Sequence, residues 1–571
     1  MIWQQEDINE SIFAMKIITL CRKYLLQHKL QLSVYIAIIF LSTAISILSP
    51  YIIGVFLDNL IAGADLGAVL HFCIIFGGLS LVKIIKGYIT AVMNTKMQTK
   101  MSYDLNMDAI KHIQGLSLSY INRKDSAYLS QRIGSDSMSL VSFCVSVLQS
   151  IISNIILLIV PLVILLIMNW FIAVLMMAFL VLYAILYFAF KMPLYNAGFA
   201  FRESQAKFFS KLFEQLKYTK IIKVNSIQEQ MNRRADKSFV DFRGTAIQNQ
   251  KVNYLYSGLD GFISTIAQII LFVVGGIQIL AGNFTIGMFT IFASYFNMML
   301  GASRYFFGLG ASYQNVLVSY DRIREIFEQK LESRGTKEIK SINKIELKDV
   351  CFSYALEKDS ETRDKSGVGR RKSGKVIKNF NAEFTKGKIY VIAGVNGAGK
   401  STIASLTMGL FVDEYNGTIA YDGVDIRDIN MVAVRRDLVG VAEQEPLLIN
   451  DSIKYNLDYM DEKNYKLSAL YECIEILNMK DFICQRTLDF KINEKNTNTS
   501  GGERQKISIL KVLLKNPDVM IFDEPTSALD AETARRFVEH LQRIKQNKII
   551  IMISHDEVLK KKCDEIVFVY I

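Results

Sequence analysis

The chain reads as an all-α membrane domain of six helices with long cytosolic helical extensions, followed by an α/β domain of the P-loop class. Three observations carry this reading. Apolar runs long enough to cross a bilayer fill the sequence up to about residue 308 and are missing beyond it. Among the connections between those runs, only alternate ones carry Lys or Arg. Residues 388–407, KIYVIAGVNGAGKSTIASLT, give an apolar strand, a glycine turn and a helix in succession. With 571 residues, 51% of them hydrophobic, there is room for several domains.

The predicted spans are Leu32–Phe56, Leu66–Met93, Val141–Met168, Trp170–Phe190, Phe262–Leu280 and Phe284–Gly308. Each offers roughly the 20 apolar residues that about 30 Å of hydrocarbon requires. The third and fourth are separated by little more than Asn169, which makes them a tight helical hairpin. The connections DNLIAGAD, MNW and AGNFT carry no Lys or Arg, whereas Lys96, Lys100, Lys111, Arg123, Lys124 and Arg132 follow the second span. After the fourth come Lys191, Arg202, Lys207, Lys211, Lys217, Lys220, Lys223, Arg233 and Arg234. Positive charge stays on the cytosolic side, so both termini are expected there. Much of the net charge of +11 lies beside apolar spans. Anionic lipid is therefore the expected partner, and nucleic acid is not.

The inner segments, about 95–140 and 191–257, are too long for turns and keep a helical apolar pattern, as in FFSKLFEQLKYTKIIKV. They read as spans that run into the cytosol and turn back. Residues 329–344 read as a linker, and residues 355–375 as a polar surface insertion. Seven scattered cysteines suggest neither a disulfide framework nor a metal pattern, and reduced thiols are expected.

In the glycine turn, Gly394, Asn396, Gly397 and Gly399 let backbone N–H groups face phosphate oxygens. Lys400 reaches the β- and γ-phosphates, the Ser401 hydroxyl is placed for Mg²⁺, and Thr402 continues the helix whose N-terminus favours anions. The stretch DVMIFDEPTSALD ends an apolar strand on Asp523, a second Mg²⁺ ligand, with Glu524 next to it as a base for the attacking water. ATP and Mg²⁺ are the cofactors these residues imply. A puzzle remains in NTNTSGGERQ, residues 496–505, where a second glycine turn precedes a second helix.

These motifs together resemble an ATP-binding cassette transporter of the exporter type, built as a half-transporter, over nearly the whole chain. The resemblance implies a membrane domain over 1–328, a linker over 329–344 and a nucleotide-binding domain over 345–571. It also explains the second turn. Ser500, Gly501 and Gly502 match the family's signature loop, which closes over ATP held by a partner subunit. The implied partner is a second copy of the chain or a sister half-transporter. By motif, Tyr354 would stack on adenine, Gln444 would sense Mg²⁺ and water, and His555 would contact the γ-phosphate. Asp530 would communicate across the dimer, and Glu494 would face the coupling helices. Residues 119–136 and 214–230 resemble the two loops that carry those helices.

Thr499 departs from the leucine usual in the signature, Asn493 and Asn496 stand where glycines are common, and no strand-turn-helix tail is expected after EIVFVYI. The implied function is ATP-driven export by alternating access, with a peptide or amphipathic cargo favoured. Lipid or multidrug export is the alternative, and an ATP-gated regulator without sustained turnover a weaker one. No protease domain is expected before the first span, and a bacterial cell membrane is the expected location. The Phe-, Tyr- and Met-rich sixth span is either a cargo-lining surface or ordinary packing. Arg304 is a candidate cargo contact or a side chain snorkelling at the inner interface.

Overall fold

The computed structural model describes residues 22–123, 129–130, 132–354, 376–458, 467–493, 498–527 and 529–570. It divides into two compact units, Met1–Ile110 with Ala127–Phe327, and Lys111–Ser126 with Glu328–Ile571.

The first unit is built from α1 (Lys29–Ile61), α2 (Leu66–Gln114), α4 (Ser137–Met168), α5 (Trp170–Lys217), α7 (Gln228–Leu280) and α8 (Ile286–Phe327), with the short α6 (Thr219–Val224) between α5 and α7. Helix α3 (Leu118–Arg123) belongs to the second unit. Six helices are long and apolar enough to cross a membrane. Four of them run far beyond the length a bilayer needs, and α7 reaches 53 residues. The extensions of α5 and α7 hold together through rings: Phe208 lies parallel to Phe242, their centroids 5.5 Å apart. Asn169 sets the hairpin between α4 and α5, because its side chain accepts from the backbone N–H of Ile172 and so caps α5.

Helices α1 and α8 meet on glycine. A Cβ on Gly287 would stand 2.0 Å from the carbonyl oxygen of Gly54, so neither helix can carry a side chain at this crossing. Asp58 then accepts from Gly287 N at 2.7 Å and from Thr285 Oγ1 at 2.6 Å, a carboxylate at the positive end of α8. Further along α8, Phe292, Tyr295, Phe296 and Met299 are fully buried within the bundle. Of the two readings of the sixth span, packing is the one that the burial of these four side chains supports. Arg304 forms an ion pair with Asp260 on α7 at 2.9 Å and donates a hydrogen bond to Tyr183 Oη on α5 at 2.8 Å. Cys144 is disulfide-bonded, against the expectation of thiols throughout, whereas Cys73, Cys351, Cys473, Cys484 and Cys563 are free.

The second unit contains two sheets. An antiparallel one runs β2-β1-β4-β5, from β1 (Lys344–Phe352), β2 (Ile377–Thr385), β4 (Tyr415–Tyr421) and β5 (Val424–Asp425). A parallel one runs β6-β7-β8-β3-β9, from β3 (Lys388–Ala393), β6 (Val439–Ala442), β7 (Val519–Asp523), β8 (Ile549–Ile553) and β9 (Glu565–Phe568). All five residues of β8 and the first four of β7 are buried, as continuous apolar strands covered on both faces must be. Their carboxyl ends set Asp523 beside the turn that leaves β3. Helix α3 packs into this unit: the Ser119 hydroxyl donates to Glu414, and Gly115 O accepts from Glu332 N at 2.8 Å. The predicted insertion, 355–375, lies outside the described residues.

Candidate nucleotide site

The glycine turn leaves β3 and feeds α9 (Lys400–Thr407). Gly397 and Gly399 have φ of +84° and +96°, which only glycine adopts freely. A Cβ on Gly394 would lie 2.6 Å from Val569 O, so the strand end is packed too closely for any side chain. Lys400 is buried and donates from Nζ to Gly394 O at 3.0 Å and to Val395 O at 3.1 Å. Its ammonium thereby braces the turn and keeps a third N–H for phosphate.

Ser401 Oγ donates to Asp523 Oδ2 at 2.9 Å. Burial pushes the Asp523 carboxyl above the ordinary range, the Ser401 hydrogen bond opposes this, and Glu524 beside it adds to it. Such a group relaxes when a cation arrives. The described residues hold no group of three or more His, Cys, Asp or Glu side chains suited to a metal. One hydroxyl and one carboxylate do suit Mg²⁺, which takes few protein ligands and completes its shell with phosphate and water oxygens.

Glu524 sits at φ +47°, a left-handed conformation costing about 1–2 kcal/mol for a residue with a Cβ. Its Oε2 accepts from Gln444 Nε2 at 3.0 Å, and its Oε1 lies 4.0 Å from His555 Nε2. Gln444, Glu524 and His555 therefore converge, as the motifs predict. Tyr354 is 44% exposed, stands edge-on to Phe352 and Phe411, and shares a hydrogen bond with Thr402 Oγ1 at 3.0 Å. It is held at an angle and keeps ring surface open, as an adenine platform needs. Asn396 is exposed at the turn.

The signature residues form a separate cluster at the start of α14 (Gly501–Lys515), which follows α10 (Met431–Asp437), α11 (Ile453–Leu457), α12 (Leu467–Ile476) and α13 (Lys480–Arg486). Ser500 Oγ accepts from Glu503 N, and Glu503 Oε2 accepts from Ser500 N, a reciprocal cap. The hydroxyl proton stays available as a donor. Thr499 is buried, and its carbonyl accepts from Arg504 Nη1 at 3.0 Å. Arg486, sandwiched between Phe482 and Phe490, donates to Asn498 O at 2.6 Å. Asp530 caps α15 (Ala531–Ile544): Thr533 N and Thr533 Oγ1 donate to its two oxygens, which holds its carboxyl below the usual range. Glu494 and Asn496 lie outside the described residues.

Sequence reasoning missed Arg486, Asn498 and Gln505. Gln505 Nε2 donates to Glu524 O at 2.7 Å and ties the start of α14 to the residue that follows β7. Its signal was legible, because Gln505 occupies the apolar stripe of α14 with Ile509 and Val512, all buried.

Comparison with known proteins agrees with this construction. The family description "ABC transporter transmembrane region" matches residues 32–303, and "ABC transporter" matches residues 377–527. An ATP-dependent lipid A-core flippase of Syntrophus aciditrophicus (strain SB) is 25% identical over 498 residues, covering 85% of this chain and 79% of that protein. The lactococcin-G-processing and transport ATP-binding protein LagD of Lactococcus lactis subsp. lactis is 25% identical over 534 residues, covering 92% and 73%. ABC transporter B family member 1 of Dictyostelium discoideum is 29% identical over 306 residues, and the chain spans 32% of its length. A solved bacterial Atm1-family ABC exporter with ATP bound shares the fold at a TM-score of 0.78 and 17% identity, covering 95% of this chain and 93% of that one. The chain thus belongs to the ATP-binding cassette transporters, as an integral membrane half-transporter of the exporter type that couples ATP hydrolysis to transport.

Proposed function

We propose that the chain pairs with a second copy of itself in a bacterial cell membrane, both termini cytosolic, and exports a peptide or amphipathic cargo by alternating access. In this reading residues 1–328 carry the cargo path, 329–344 link, and 345–571 bind nucleotide. Tyr354 stacks on adenine, and the 394–402 turn wraps the phosphates. Ser401, Asp523 and the Gln444 amide oxygen would hold Mg²⁺, which supplies charge neutralisation at the phosphates. Glu524 accepts a proton from the attacking water, and His555 donates to the γ-phosphate. Ser500, Gly501 and Gly502 of the other copy close the site, with N–H groups and a hydroxyl directed at the γ-phosphate. Asp530 lies next to this closing surface.

The observation that carries the reading is the convergence of Gln444, Glu524 and His555 beside the Ser401–Asp523 pair. ATP affinity that differs between inward- and outward-open states shifts the chain toward the outward-open one, and hydrolysis supplies the free energy of the cycle. Helix α3, seated on Glu414, is the element through which closure of the nucleotide-binding unit reaches the spans. The peptide reading is supported by similarity to the lactococcin transporter over 92% of the chain. Lipid translocation is the second reading, favoured by the flippase relative.

Inverted proteoliposomes test both. Wild-type protein is expected to accumulate amphipathic peptide with ATP. Glu524→Gln should bind ATP yet hydrolyse it about 10²–10³-fold more slowly and accumulate nothing. Equal hydrolysis by the two proteins defeats the pump reading, and ATP-dependent movement of labelled lipid with no peptide uptake selects the second cargo.

A further inference from the structure

Gln505 lies one turn past the Ser500 cap and is 2% exposed. Its Nε2 donates to Glu524 O at 2.7 Å and to Ser527 Oγ at 3.3 Å. The Glu524 N–H donates to Ile553 O at 2.8 Å. Glu524 is therefore pinned on both sides: β8 holds its N–H, and the signature helix holds its carbonyl. That matters because its φ of +47° is one a residue with a Cβ keeps only when its surroundings enforce it. An amide buried in an apolar stripe also calls for a reason, since methionine would fill the same space with no polar group to satisfy.

We infer that Gln505 is a positioning residue that aims the Glu524 carboxylate and makes that aim depend on where the start of α14 sits. The inference rests on the shared-site reading above. In that reading the first turn of α14 grips the other copy's nucleotide, while Glu524 acts on its own. Gln505 then links the two ATP sites through one side chain. A helix shift of about 1 Å takes a 2.7 Å hydrogen bond out of range, so the link responds to small movements.

Two substitutions in the full-length protein test it. Gln505→Met keeps the length and removes the donor. The expected result is a kcat for ATP at least tenfold lower, with KM unchanged. ATP-induced crosslinking between Ser500→Cys of one copy and Val395→Cys of the other should also be unchanged. An unaltered kcat overturns the inference, and so does a crosslink lost together with kcat, which would make Gln505 a support of the signature loop only. A crosslink absent even with Gln505 in place instead defeats the shared-site reading, whatever kcat does. Gln505→Glu gives the second readout. Its acid donates to the carbonyl only when protonated, so its rate relative to the wild type should climb as pH falls; a flat ratio overturns the inference.

Discussion

Tyr354 shows how much one side chain can hold ready before any ligand arrives. Phe352 and Phe411 meet its ring edge-on, and Thr402 fixes its hydroxyl from the helix that begins at the phosphate turn. Base stacking on an aromatic ring contributes about 1–3 kcal/mol. Tyr354→Ala should therefore raise the KM for ATP by roughly 5- to 150-fold, by that same range. Tyr354→Phe keeps the ring and loses only the hydroxyl bond, so its KM should stay within about threefold of the wild type. Steady-state ATPase kinetics on the pair decide the matter, and equal KM values for Ala and Phe would remove the stacking role. The residues proposed to bind phosphate were legible because that chemistry demands a fixed type at a fixed spacing: glycines where the backbone turns, Lys400 and Ser401 directly after. Arg486 was illegible for the opposite reason. Its partners, Phe482, Phe490 and the Asn498 carbonyl, are brought together only by the fold.

Helix α14 packs an apolar flank against the parallel sheet, and Lys511, half-buried, lies near its C-terminal end. Burial pushes its ammonium down to about 8, Lys515 one turn on adds repulsion, and Glu443 opposes the shift. Below pH 8 the group is charged in both folded and unfolded chains, and the folded state bears the whole desolvation cost. Between about 8 and the ordinary 10.5 the unfolded chain binds the proton that the folded one has released, so stability contributed here rises with pH. Lys511→Met removes that dependence. The difference in Tm, variant minus wild type, should fall by a few degrees, roughly 2–4 °C for each kcal/mol, as pH goes from 7 to 10. A difference that stays level across that range would show that Lys511 is ionised to the same extent folded and unfolded. Among the elements, the six spans were legible because each is a long apolar run with a simple length criterion. The antiparallel sheet was not, since β1, β2 and β4 pair across sequence gaps that no local pattern encodes. Nor did the sequence give the Gly54–Gly287 crossing, which is visible only once two distant helices touch.

Across the whole molecule, one chain carries a complete phosphate turn and a complete signature turn, and these have different hydrogen-bonding company. The first is tied to Asp523 through Ser401, the second to Glu503, Arg486 and Arg504, and Gln505 on the helix behind the second reaches Glu524 O. If each ATP is shared between copies, two different dead proteins must repair one another. Gly501→Asp is a suitable lesion on the signature side, because a Cβ there meets nothing closer than Arg504 Nη2 at 4.0 Å, while the added charge repels phosphate. Glu524→Gln is the lesion on the base side. In a mixed two-fold dimer, one site inherits both lesions and the other inherits neither. Each variant alone should be inactive. An equal mixture, allowed to exchange subunits, should regain about a quarter of the wild-type rate, since about half the dimers are mixed and each has one sound site. Sites contained within single chains give no recovery at any mixing ratio, because every chain then carries one fatal change. Titrating the ratio sharpens the test: recovered activity should peak at equal amounts and fall symmetrically to either side, a curve that a contaminating trace of wild-type protein cannot produce.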